Sequence, residues 1–248
     1  MTKMKAIAAI LLTLCLAVAS ALAEEEDYSD IAGEWYTEEV MMTVTEEGRF
    51  VLEWNDGDWT GSLEADLRTN EEDEEYTAYR MVLDNPEDSA WENLELVPDI
   101  YHPGKMTYYQ DGTPLEVFYD VPIYVMDMEG EDLAVYEPYA FIDAANGNEP
   151  AVTMMFTFLR PVKDVAVMEM SDQRIDEDGN LGYNGSTLEW WAELDSLERI
   201  VVTRVFEGDL PDLSVNFITE DGTGYDFAVQ MSGYDGELEL LQLAAPNG

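Results

Sequence analysis

The stretch Val40-Met41-Met42-Thr43-Val44-Thr45-Glu46-Glu47-Gly48-Arg49-Phe50-Val51-Leu52-Glu53-Trp54 decides the fold class. Two runs rich in β-branched and large apolar residues flank Glu46-Glu47-Gly48, and the glycine suits the left-handed backbone of a tight hairpin. In the second run Phe50, Leu52 and Trp54 fall on one face, while Arg49 and Glu53 fall on the other. A period of two is the signature of a strand with one dry and one wet face. An antiparallel hairpin is therefore expected here.

The same pattern extends in both directions. Leu63, Ala65 and Leu67 alternate with Ser62, Glu64, Asp66 and Arg68, and Tyr76 to Leu83 follows across the acidic connection Asn70 to Glu75. Lys105 to Tyr109 and Leu115 to Val121 flank Gln110-Asp111-Gly112-Thr113, a second hairpin signal. Leu133 to Glu137 and Val152 to Leu159 complete a first set of expected strands. Beyond Pro161 come Val165 to Met170, Leu188 to Leu194 and Ile200 to Phe206, then a meander of Leu213 to Thr219, Tyr225 to Met231 and Glu237 to Leu243. Gly-containing turns at Asp221 to Gly224 and Gly233 to Gly236 separate the last three. Asn85 to Glu92 breaks the pattern; Asn85 can cap a short helix and Pro86 suits its first turn. Long amphipathic helices are absent from the pattern. The chain reads as all-β: a meander forming a barrel or related sandwich over 31–160, then a second antiparallel β unit over 161–248.

Gly33-Glu34-Trp35 at the opening of the first strand, the hairpin Thr45 to Phe50, and Phe156-Thr157-Phe158-Leu159-Arg160 resemble the lipocalin-like (calycin) families, which include small secreted bacterial domains. The resemblance covers roughly residues 31–160. It implies an eight-stranded barrel closed at one end by Trp35, with Arg160 packed over that ring in a cation–π contact. It also implies an interior able to hold one small apolar ligand, to which Trp35, Met42, Phe50, Leu52, Leu63, Leu67, Met154, Phe156 and Arg160 would contribute. A fully packed core is the competing reading of the same stripe, since Met fills gaps well.

The N-terminus reads as an export signal. Lys3 and Lys5 precede an apolar run from Ala6 to Val18, and Ala21-Leu22-Ala23 is a small-x-small cleavage site before Glu24. The run is short for a membrane span. Cys15 lies within it, but Leu14 precedes that cysteine where a bacterial lipidation signal has a small residue. Residues 1–23 are thus expected to leave, followed by an acidic lead-in over 24–30. A secreted or extracytoplasmic product with no membrane association after cleavage is expected. The single Cys leaves with the signal, so disulfides and thiolate sites are excluded from the mature product.

The 248 residues carry 11 Lys+Arg against 55 Asp+Glu, a formal net charge of -44. Removal of Lys3 and Lys5 leaves nine cations against the same acids, so processing makes the chain more acidic. Such a surface repels phosphate backbones and anionic lipid, so no nucleic-acid partner is expected. The 46% hydrophobic content argues for a packed core over disorder.

No residue pattern nominates catalysis, and no catalytic residue, cofactor or metal is expected. His102 is the sole histidine and sits in a turn, Tyr101-His102-Pro103-Gly104, with no nucleophile in a recognisable frame. Asp176-Glu177-Asp178-Gly179-Asn180 is the best local calcium candidate, yet placing Gly179 sixth puts Arg174 first and Gly185 twelfth in the loop. Adjacent aromatics offer a different clue. In Trp190-Trp191, Tyr108-Tyr109 and Phe118-Tyr119 one ring of each pair must leave the core, and Trp54 and Trp59 flank an acidic turn. The leading expectation is an exported, non-enzymatic binding or interaction protein for a small apolar ligand or an extracellular partner. The alternative is a glycan-binding or carbohydrate-active protein using exposed Trp and Tyr with carboxylates. An acidic structural protein of the cell exterior is the third.

Overall fold

A computed structural model describes residues 28–54, 57–70, 75–85, 93–102, 104–131, 133–148, 150–175, 181–206, 211–231 and 237–243. The export signal, most of the acidic lead-in, the helix expected after Asn85, the Asp176 to Asn180 turn and the Gly233 to Gly236 turn lie outside the described residues.

The fold is all-β. Eight antiparallel strands close a barrel in simple sequence order: β1 (Gly33–Tyr36), β2 (Met41–Val44), β3 (Arg49–Trp54), β4 (Gly57–Thr69), β5 (Glu75–Leu83), β6 (Leu94–Pro98), β7 (Lys105–Gln110) and β8 (Thr113–Tyr119). The opening hairpin forms as its alternation dictates, with Val44 opposite Phe50 and Met42 opposite Leu52. Gly48 turns it at φ 72°. The barrel closes through a narrow seam where Tyr36 of β1 meets Tyr119 of β8.

The barrel is complete by Tyr119, and the remaining strands build a two-layer sandwich. One layer runs β10-β14-β11-β9, from β9 (Ile123–Asp127), β10 (Ala140–Asp143), β11 (Val152–Phe158) and β14 (Arg199–Arg204). The other runs β13-β12-β15-β16-β17, from β12 (Val162–Ile175), β13 (Leu181–Leu194), β15 (Leu213–Thr219), β16 (Gly224–Met231) and β17 (Leu238–Gln242). Every described pairing is antiparallel except β10 with β14, which is parallel.

Three local differences from the sequence reading follow from pairing partners. Leu94-Glu95-Leu96, within a stretch rich in turn formers, supplies the sixth barrel strand. Leu133 to Tyr136, expected as a strand, is a 3-10 turn packed on the outside of the first layer. The strands Val152–Phe158 and Arg199–Arg204 pair with each other across residue 161, so the expected boundary there falls within one layer of the sandwich.

The two bodies have separate cores. Trp35, Met42, Phe50, Leu52, Tyr79, Leu96 and their neighbours fill the barrel. Met154, Phe156, Phe158, Val165, Ile200, Val215 and Phe227 fill the space between the layers. Two aspartates inside the long strand β12, Asp164 and Asp172, adopt φ near 50° beside interruptions in its pairing. Such bulges bend a strand, and Asp tolerates the left-handed backbone better than most residues.

Candidate functional site

The barrel interior is occupied by its own side chains. Trp35 is buried and its indole Nε1 donates to the Ile31 carbonyl at 2.8 Å, fixing the segment that enters β1. Tyr28, ahead of that segment, plugs the barrel: its ring lies over Gly48 and faces Tyr79 at 5.8 Å, and its hydroxyl donates to the Leu63 carbonyl at 2.8 Å. Met42, Phe50, Leu52 and Leu63 point inward into the same packed cluster.

The other residues proposed for an inner face lie elsewhere. Leu67 is 67% exposed, because β4 and β5 continue as a two-stranded ribbon past the point where β5 pairs with β6. Met154 and Phe156 are fully buried, but in the sandwich. Arg160 does reach the first barrel strand, yet the ring it covers is Tyr36, at 5.2 Å, and not Trp35. Trp35 points inward while Tyr36 faces the sandwich, so an arginine arriving from β11 can meet only the second ring.

The cleft with an apolar wall lies between the barrel and the sandwich. It has a volume of about 300 Å³. The barrel supplies Tyr101 and His102 from the turn before β7, Lys105 from the start of β7, and Tyr119 from the end of β8. The link to the sandwich supplies Asp120 and Val121, and β9 supplies Ile123, Tyr124 and Val125. Gln230 of β16 and Leu238 to Leu241 of β17 form the opposite wall. Tyr119 and Tyr124 stack at 5.1 Å with only 14° between their planes. Desolvation pushes both phenols up to about 12, so they remain neutral donors near neutral pH.

Polar groups sit at defined places around this wall. His102 Nδ1 is 3.1 Å from Asp99, and its Nε2 faces Glu239 at 3.7 Å and Glu237 at 4.0 Å. Lys105 pairs with Glu237 at 3.2 Å, linking barrel to sandwich. Gln230 donates to the other oxygen of Glu239 at 3.3 Å. Asp120 stands at the rim with its carboxylate against Gly104, where even a β-carbon would be 2.6 Å away. Surrounding protein displaces water from that carboxyl and moves its pKa up. On another side of the junction, Glu38 accepts from Tyr124 at 2.7 Å and from Arg199 at 3.0 Å. Three of the chain's few cations, Lys105, Arg160 and Arg199, thus bind the two bodies together.

Among the described residues no set of three or more His, Cys, Asp or Glu is placed to hold a metal ion. The pair His102–Asp99 orients an imidazole whose other nitrogen faces the carboxylates of Glu239 and Glu237. The aromatics considered for sugar stacking divide as alternation requires. Trp191 packs on the sandwich core while Trp190 is 54% exposed, and Trp54 and Trp59 pack on the barrel with centroids 6.2 Å apart. The sequence signal for the cleft was the pair Phe118-Tyr119: Phe118 enters the barrel core and Tyr119 turns outward into the junction. Leu238, Leu240 and Val125 carried no such signal, because their strand faces are indistinguishable from ordinary core. Comparisons of the chain with protein-family models, with curated proteins and with solved structures return no match.

Proposed function

We propose that this chain is an exported, non-enzymatic binding protein that holds a small, largely apolar ligand in the cleft between barrel and sandwich. The observation that carries the reading is the cleft itself: about 300 Å³, walled by Tyr119, Tyr124, Ile123, Val125, Leu238 and Leu240, with a few polar groups at its edge. That is the composition of small-ligand sites, which are mostly apolar with sparse orienting groups and favour junctions between bodies. The proposal shifts the ligand from the barrel, whose inward side chains already occupy one another, to the junction. The barrel's eight-stranded, sequence-ordered closure supports a calycin-type relationship, and the leader supports export.

The test is saturation-transfer NMR with indole, a neutral ring of suitable size, on the mature full-length protein. Saturation of indole protons is expected, with loss in Leu241→Ser, which removes an exposed apolar wall residue at little cost to the fold. No transfer to indole would overturn the reading. Intact-mass measurement of the exported product should show a chain beginning at Glu24.

A further inference from the structure

We infer that the cleft is selective for a ligand bearing a cationic amine on an aromatic or apolar body, received by Asp120 and Glu239. This rests on the reading of the cleft as the ligand site and adds the chemical class.

The first argument is charge. Asp120 and Glu239 line the cleft, with Lys105 as its only lysine or arginine. Lys105 is already paired with Glu237 at 3.2 Å. No cation pairs with Asp120 among the described residues. The carboxylates therefore exceed the cations at the site, within a chain of net charge -44. An anionic ligand would meet repulsion at both ranges. A cation is drawn in by the whole field and then finds, in Asp120, a carboxylate with no cation paired to it among the described residues.

The second argument is the form of the wall. Tyr119 and Tyr124, stacked on each other, both line the cleft and give it an aromatic wall of neutral phenols. A flat ring packs against such a surface, and an ammonium gains from the negative face of a tyrosine. Carboxylates are on two sides, Asp120 from the link and Glu239 from β17. An ammonium has three donors, enough for more than one acceptor. A simple metal cation fits less well, because the wall between the carboxylates is hydrocarbon and not oxygen.

The third argument is that Asp120 has no counter-charge among the described residues. Desolvation moves the Asp120 carboxyl up, the response of an acid losing water without gaining a counter-charge. An amine seated there supplies that charge.

The experiment compares three probes of one ring system by titration on the mature full-length protein: indole, tryptamine and indole-3-propionate. Tryptamine should bind about tenfold more tightly than indole, the gain of one charge-assisted contact. Indole-3-propionate should bind more weakly than indole. Raising salt should erode the tryptamine advantage and leave indole unaffected. Asp120→Asn and Glu239→Gln together should bring tryptamine down to about the indole level. Indole binding with no preference for tryptamine, or a preference that survives Asp120→Asn and Glu239→Gln together, would overturn the amine inference and leave the cleft reading standing. Failure of both indole and tryptamine to bind would overturn both.

Discussion

Whether the barrel is a container or a solid body can be decided by emptying it. Phe50 is 1% exposed, lies opposite Val44 on β2, and faces Gly61 on β4. Its ring edge comes within 2.5 Å of where a β-carbon on Gly61 would stand, so ring and glycine are fitted to each other. In Phe50→Ala the loss has two parts: transfer of the ring out of the core, and a void whose lining cannot collapse because it is a hydrogen-bonded barrel wall. Together these amount to about 3–5 kcal/mol. With a urea dependence of about 1–3 kcal/mol per molar, the unfolding midpoint should fall by at least about 1 M. Far-UV circular dichroism and tryptophan fluorescence both report it, since Trp35, Trp54 and Trp59 sit in or on this core. A dry apolar void of this kind also takes up benzene. Benzene should therefore raise the stability of the variant and leave the parent unchanged. A loss under about 1 kcal/mol, which is too small for a ring taken from a packed core, would refute the solid barrel. So would equal stabilisation of the parent by benzene.

Gly61→Ala should destabilise by about 1–3 kcal/mol despite the usual gain from replacing a strand glycine, because the new carbon runs into the Val82 carbonyl as well as the Phe50 ring. Adding Phe50→Leu should not restore stability, since the carbonyl remains; urea titration of both variants checks this. Arg204→Met should cost about 3–5 kcal/mol by the same assay, because it strands Asp212, whose side chain is only 10% exposed, and removes the partner of Glu169. Adding Asp212→Leu should recover much of the loss. Asp226→Asn should stabilise by about 1 kcal/mol at pH 7, because desolvation raises the Asp226 carboxyl pKa and its Oδ1 has no hydrogen-bond partner, while Tyr183 still donates to the amide oxygen. The folded state holds this proton more tightly than the unfolded state. Stability of the parent is therefore lost as pH rises from the unfolded to the folded pKa, and the advantage of Asp226→Asn should vanish as pH falls below both. Melting temperatures at pH 3.5 and pH 7 separate the two cases.

The cations show how a chain this acidic organises itself. Arg49–Asp84, Arg80–Glu64 and the Arg68–Glu95 fork decorate the barrel wall, where such pairs contribute little each. Arg160, Arg199 and Lys105 sit instead at the junction, against Tyr36, Glu38 and Glu237. Two bodies that would repel each other are linked by the few positive charges available, and the cleft opens beside one of those links.

The sequence by itself determined the class of structure. Alternation is a local property, so the faces of β3, β15 and β16 could be read from Phe50-Val51-Leu52, Leu213 to Phe217 and Tyr225 to Val229, and each proved to turn its apolar side to a core. It also indicated that one ring of each adjacent pair leaves the interior, but not which one; the fold turns Trp190 and Tyr119 outward. What it did not contain is which strands pair. Met154 to Phe158 reads as a strand and Leu94-Glu95-Leu96 does not stand out from its turn-forming surroundings, yet the second helps close the barrel and the first belongs to the sandwich. That choice depends on contacts between residues far apart in the chain. The same holds for the cleft: Tyr119, Tyr124 and Leu240 are unremarkable in their own strands and become a site only where β9 and β17 are brought against the end of β8. Periodicity fixes the direction in which a side chain points; only the assembled sheets fix what it meets.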